Sequence, residues 1–316
     1  MNQLYFKINE IDGYSNMRSW LKVLIFFLFI PYKGITAPHI LVTLPPLHSL
    51  VAGVMKDVAI PTLLLDGLVS PHHYALKPSD RRKIENTDLL IWIGPNYEFF
   101  LEKPLEQSST KTIQLNEMPD LIQLPIRSND CPTCSHSHGA ESHTMDPHLW
   151  LTPINAQKIV EIVADKLSQL DPQNASYYKK NATVLISKLA LLHQELTEKL
   201  TPVKNYPFLV YHDGYQYFEK AYQLTGLGAL TLDPEIPISV QRLKTLEAQI
   251  KLKNVRCIFG ETQFYPPLIK TLSDATRIKT GKLDPFGTIF PPDDTLYFKM
   301  MHQLADTFIV CLKSLE

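Results

Sequence analysis

The sequence lacks an excess of charge of either sign. Its 31 basic and 32 acidic side chains leave a net charge of -1, so it has no broad positive field for nucleic acid or an anionic membrane surface. It contains no Gly-x-x-x-x-Gly-Lys-Ser/Thr phosphate loop, so it is not an ATPase of that kind, and no His-Glu-x-x-His helix of the common zinc proteases. No apolar run approaches the roughly 20 residues that cross a bilayer as a helix. No period of 20–50 residues repeats, which excludes solenoids and propellers. Cysteine numbers only four.

The N-terminus departs from this soluble pattern. Met17 to Lys22 is a short basic stretch, Val23 to Ile30 an apolar run, and Ile35-Thr36-Ala37 a small-residue end. Positive region, short apolar core and small cleavage residue read as a secretory signal peptide over residues 1–37. Residues 1–16 are a polar lead in front of it, and Met17 is an alternative start. No cysteine follows the apolar run, so a lipid anchor is not expected. Export gives the cysteines a disulfide-permissive setting. Cys257 and Cys311 each sit among apolar neighbours, either as a disulfide tying the last helix to a core strand or as two buried thiols. Cys131-x-x-Cys134 is a second disulfide, a soft metal site or a redox pair. No strand precedes it to suggest a thioredoxin fold.

Two stretches of alternating strand and helix flank one long helical pattern. His39–Thr43, Pro61–Leu65 and Leu89–Gly94 are apolar strand candidates, with helices over 47–56 and opening at Lys77-Pro78-Ser79-Asp80, where Ser79 or Asp80 can cap it. Continuous apolar strands suit a parallel sheet covered on both faces. From Asp171 to about Leu200, Leu185, Leu189, Leu192 and Leu196 recur at helical spacing. Phe208–Tyr211 and Cys257–Gly260 then read as strands, Val240–Leu252 as an amphipathic helix, and 294–314 as a final helix. The fold class expected is α/β: two parallel-sheet lobes, 38–170 and 205–316, joined by one long rigid helix over 171–204, with a metal site in the cleft between the lobes.

Histidines carry the chemistry. His72, His148 and His212 lie in Ser70-Pro71-His72-His73-Tyr74, Met145-Asp146-Pro147-His148-Leu149-Trp150 and Val210-Tyr211-His212-Asp213-Gly214. Neutral imidazole is the commonest zinc ligand, and three of them with a carboxylate or water satisfy a zinc ion. His212 and Glu261 fall at the carboxyl ends of predicted strands, where open parallel sheets bind ligands, and Asp284 is expected to join them. His136, His138 and His143, in the loop 131–145, form an accessory imidazole tract able to capture metal. His39, His48, His193 and His302 read as structural.

These segments, together with Tyr74–Asp80, Trp92-Ile93-Gly94-Pro95-Asn96-Tyr97-Glu98 and Leu283-Asp284-Pro285-Phe286-Gly287, resemble the ZnuA family of periplasmic zinc-binding proteins of ABC importers over residues 38–316. The resemblance implies two α/β lobes on a rigid helix and Zn2+ held by His72, His148 and His212. It also implies a Cys257–Cys311 disulfide, a periplasmic monomer, and docking on a membrane permease with its cytoplasmic ATPase. It implies no enzyme activity. The chain departs from the family where some relatives place a glutamate, here Pro71. Its histidine loop is shorter and less acidic than theirs, and contains two cysteines. The fourth ligand is therefore expected to be water or Asp284. Alternatives are a manganese or iron carrier on the same scaffold and a zinc hydrolase using Glu261 or Asp213 as base. Nitrogen donors favour zinc over manganese.

Overall fold

The computed structural model describes residues 37–66, 69, 71, 74–127, 145–231, 238–262 and 267–313. The expected signal peptide (all but Ala37), His72, Cys131, Cys134 and the tract of His136, His138 and His143 lie outside the described residues.

The apolar runs become parallel strands. In the first lobe β1 (Ile40–Val42), β2 (Thr62–Leu63), β3 (Leu89–Trp92) and β4 (Lys111–Gln114) form one sheet in the order β2-β1-β3-β4, every pair parallel. Helix α1 (Pro45–Val54) follows β1 with nearly every residue buried, and α2 (Pro78–Glu85) follows β2. Helix α2 opens within the expected Lys77-Pro78-Ser79-Asp80 segment, but Lys77 and not Ser79 or Asp80 stands at the cap position. Pro78 occupies its first turn, where a missing N–H costs nothing. Asp80 Oδ2 then reaches back to the Lys77 N–H at 3.0 Å and accepts the Tyr74 hydroxyl at 2.6 Å.

The second lobe repeats the plan. β5 (Phe208–His212), β6 (Gly226–Thr231), β7 (Cys257–Glu261) and β8 (Lys279–Leu283) give the order β6-β5-β7-β8, again all parallel. Because successive strand residues face opposite ways, Phe208 and Val210 join the main core while Leu209 and Tyr211 join a separate cluster with Leu246, Ile250, Ile269 and Leu272. That second cluster lies under α7 (Val240–Leu252) and α8 (Pro267–Thr276). The final helix is α9 (Leu296–Lys313). Cys257 of β7 is bonded to Cys311 of α9, with Cα atoms 6.0 Å apart, so the pair is a disulfide and not two thiols.

Between the sheets lie α4 (Pro153–Leu170) and α5 (Ala175–Leu200), with a short α3 (Glu102–Glu106) in the first lobe and α6 (Gln216–Tyr222) in the second. The 26 residues of α5 make a rod of about 40 Å at 1.5 Å per residue. Its buried seam is Tyr178, Ala182, Leu185, Leu189, Leu192, Leu196 and Leu200, the stripe anticipated from the leucine spacing. No helix among the described residues is long and apolar enough to cross a membrane.

Candidate metal centre

In both sheets the strand order reverses direction at the centre, between β1 and β3 and between β5 and β7. Such switch points open a crevice beyond the carboxyl ends of the two strands. His212 ends β5 and Glu261 ends β7, so the fold itself sets these two side chains side by side. Glu261 Oε1 lies 2.6 Å from His212 Nδ1, with the residues 1% and 5% exposed. Burial opposes charge on His212, but the Glu261 carboxylate outweighs it and raises the imidazole above its usual range.

His148 arrives from the other lobe. It stands at the head of a short 3-10 turn, Leu149–Leu151, which Asp146 and Pro147 precede. Asp146 Oδ1 accepts both the His148 backbone N–H at 2.9 Å and sits 2.8 Å from His148 Nδ1. Burial works against the Asp146 charge, but its hydrogen bonds with His148 hold the carboxyl below the ordinary carboxylate range. Each imidazole thus turns Nδ1 to a buried carboxylate and presents Nε2 to the other: His148 Nε2 and His212 Nε2 are 3.2 Å apart. The backbone of Gly214 presses on both rings. A Cβ there would stand 2.5 Å from His212 Cε1 and 3.2 Å from His148 Nε2, so only glycine fits beside the pair.

Aromatic rings wall the site. Tyr97 meets His148 edge to face at 5.3 Å, and Trp150 lies 5.4 Å from it, tilted. Trp150 also donates its Nε1–H to Pro285 O at 2.9 Å across the lobe boundary. Burial pushes the phenols of Tyr97 and Tyr215 well above their usual range, with Glu261 adding to both. Both therefore remain neutral walls.

Of the anticipated ligands, the structure brings His148 and His212 together. His72 lies outside the described residues, and among the described residues no three His, Cys, Asp or Glu side chains form a group able to hold a metal. Asp284, anticipated as a tentative fourth ligand, uses both its oxygens on its own turn. Oδ1 accepts from the N–H of Phe286 and Gly287 at 3.1 and 2.9 Å; Oδ2 accepts from the Thr288 N–H and hydroxyl, both at 2.7 Å. A metal would have to displace donors already satisfied. Asp146 and Gly214 were not assigned roles from sequence. The Asp-Pro-His spacing was the available signal for the first, and the His-Asp-Gly turn for the second.

Comparison with known proteins identifies the family. The sequence profile of the family described as "Zinc-uptake complex component A periplasmic" matches residues 40–311. The chain is 34% identical over 305 residues to the high-affinity zinc uptake system protein ZnuA of Brucella abortus, covering 86% of this chain and 91% of that one. The crystal structure of a ZnuA superposes with a TM-score of 0.74 at 24% identity, covering 87% of this chain and 99% of that one. The fold is also that of the substrate-binding protein FpvC of Pseudomonas aeruginosa, solved with Mn2+, at a TM-score of 0.76 and 22% identity, with 88% and 99% covered. A profile match spanning most of the chain and relatives 34% identical over most of their own length place this chain in the ZnuA family of periplasmic zinc-uptake components.

Proposed function

We propose that this chain captures Zn2+ in the periplasm and delivers it to the membrane permease of an ABC importer, with the metal as cargo and no chemistry performed on it. The observation that carries the reading is the pair of Nε2 atoms 3.2 Å apart, each ring oriented by a buried carboxylate. At a Zn–N distance of about 2.0–2.1 Å, nitrogens so spaced subtend roughly 100° at the ion, close to the tetrahedral value zinc adopts. Carboxylates behind ligating imidazoles fix their tautomer and raise their basicity. In the proposed site His148 and His212 supply two donors, His72 the third, and water the fourth, since Asp284 is engaged by its turn. The accessory tract at His136, His138 and His143 is proposed to feed the site.

Two carboxylates could have served a hydrolase as general base. Glu261 is held by His212 and Asp213 by Arg127, which supports carriage over catalysis. A manganese or iron cargo is disfavoured by the nitrogen-rich donor set. Residues 1–37 are proposed to be removed on export, leaving a monomer with lobes 38–170 and 205–316 joined by 171–204.

Imidazole binds zinc only through a deprotonated nitrogen, so protons compete with the metal and affinity falls as pH falls. The test is metal analysis of the purified mature chain with competition titration of Zn2+ against Mn2+. His148→Ala and His212→Ala are expected to weaken zinc binding by more than 100-fold each. Full zinc affinity in both variants, or tighter Mn2+ than Zn2+ binding by the parent, refutes the proposal.

A further inference from the structure

Arg127 belongs to no part of the proposed metal centre, yet its guanidinium bonds two buried carboxylates beside it. It leaves the first lobe and enters the second, where its Nε meets both oxygens of Asp213 at 2.9 and 3.0 Å and its Nη2 closes a second bond to Asp213 Oδ1. Its Nη1 donates to Glu219 Oε2 at 2.6 Å. The Asp213 and Glu219 side chains are each 7% exposed. Burial alone would depress the Arg127 guanidinium, but the two carboxylates outweigh it and hold its charge firmly.

The partners are not arbitrary. Asp213 follows His212 directly, and the Gly214 N–H donates back to His212 O at 2.9 Å, so the turn that carries the guanidinium's main acceptor also aims the imidazole. Glu219 lies in α6, and the neighbouring α6 side chains grip the extended segment from which Arg127 comes. Tyr217 Oη accepts the Leu124 N–H and donates to Asp146 O, both at 3.1 Å. Gln216 Nε2 donates to Pro125 O at 2.9 Å and Asp146 Oδ2 at 3.2 Å. The 124–127 stretch in turn holds the one leading to His148: Pro125 bridges Met145 and the Asp146 N–H donates to Leu124 O at 2.7 Å. One chain of contacts therefore runs from His148 through Asp146, Leu124 and Arg127 to Asp213 and His212.

We propose that Arg127 is a positioning residue for the metal pair: by chelating Asp213 and Glu219 it locks the His212 turn to the segment carrying His148 and so fixes the approach of the two Nε2 atoms. A planar fork suits this task because it meets two carboxylates at set angles, which a lysine ammonium cannot. Without it, two buried carboxylates are left facing each other and drive the turn outward. The inference rests on the carrier reading for its functional consequence.

The experiment compares Arg127→Met and Arg127→Lys with the parent, using Zn2+ dissociation into a chelator, the visible spectrum of the Co2+-substituted protein, and amide exchange in the metal-free chain. Arg127→Met is expected to release zinc at least 10-fold faster, to alter the Co2+ bands, and to speed exchange of the Asp146 amide. Arg127→Lys keeps the charge without the chelate and is expected to recover part of the difference, remaining at least 3-fold faster than the parent. Release within 2-fold of the parent in both variants, with unchanged Co2+ bands, overturns the proposal. If Arg127→Met does not fold, the lysine variant decides by the same criterion. A parent that binds no zinc refutes the carrier reading instead, and Asp146 amide exchange in the metal-free lysine variant, faster than or equal to the parent, then decides the latch alone.

Discussion

Gly214→Ala tests the geometry of the metal pair with one methyl group. The added Cβ meets His212 Cε1 at 2.5 Å, His212 Nε2 at 2.9 Å and His148 Nε2 at 3.2 Å. Ordinary carbon contacts need about 3.5 Å or more, so the His212 ring has to recede by roughly 1 Å. Behind it Glu261 already closes to 2.6 Å and is 1% exposed, which leaves the ring no straight retreat. It must rotate, and the two Nε2 atoms no longer converge on one point. Disturbing ligand orientation without removing a ligand costs about 10–100-fold in metal affinity, and that is the loss expected. The assay is competition of Zn2+ against a chelating dye, with circular dichroism of the metal-free chain to show a native spectrum. Zinc affinity within 3-fold of the parent in a folded Gly214→Ala protein would refute the reasoning, because the rings would then not occupy the positions from which the site is argued.

Two stability predictions follow from buried groups elsewhere. Glu98 is 0% exposed; its Oε2 accepts the N–H of Ile93 and Gly94 at 2.9 and 3.1 Å, and burial raises its carboxyl to about 7. A folded-state value above the unfolded one stabilises fully below the unfolded value and is lost as pH rises through the folded one. Wild-type stability should therefore fall between about pH 4.5 and 7, by about 3 kcal/mol from this group at 1.36 kcal/mol per unit. Glu98→Gln keeps the acceptor without the charge, and urea unfolding should show its advantage over wild type growing across that window; a constant difference from pH 4 to 8 counts against the argument. Reducing Cys257–Cys311, whose residues are 54 apart in sequence, should lower stability by about 4 kcal/mol on the chain-entropy account. Equal urea midpoints of oxidised protein and Cys311→Ser would contradict it.

The sequence was most legible where burial is one-sided or complete. The α5 seam and the strands β1, β3, β5 and β7 follow from apolar patterning because their side chains go into the core almost without exception. What was missed lies at sheet edges. β4 (Lys-Thr-Ile-Gln) buries only Ile113, and β6 opens Gly-Leu-Gly, so pairing with a neighbour, not composition, makes them strands. Helices α4 and α6 escaped for a different reason: each directly follows a ligand segment whose Pro, His and Gly residues read as loop. The histidine pair was legible because imidazole is rare and its flanks were distinctive. The support of that pair was not, since Asp146 joins Leu124 and Arg127 joins Asp213 across separations of 22 and 86 residues that no local pattern encodes.

The strut α5 has a bearing on how cargo leaves. A rod of about 40 Å with seven side chains locked along one seam resists bending far more than a flexible hinge would. Trp150 bonded to Pro285 and Tyr297 bonded to the Trp150 carbonyl pin the halves further. Opening the crevice by swinging the halves apart would break all of these at once. On the carrier reading proposed above, releasing the ion by dislodging a single donor breaks fewer of these bonds than swinging the halves apart.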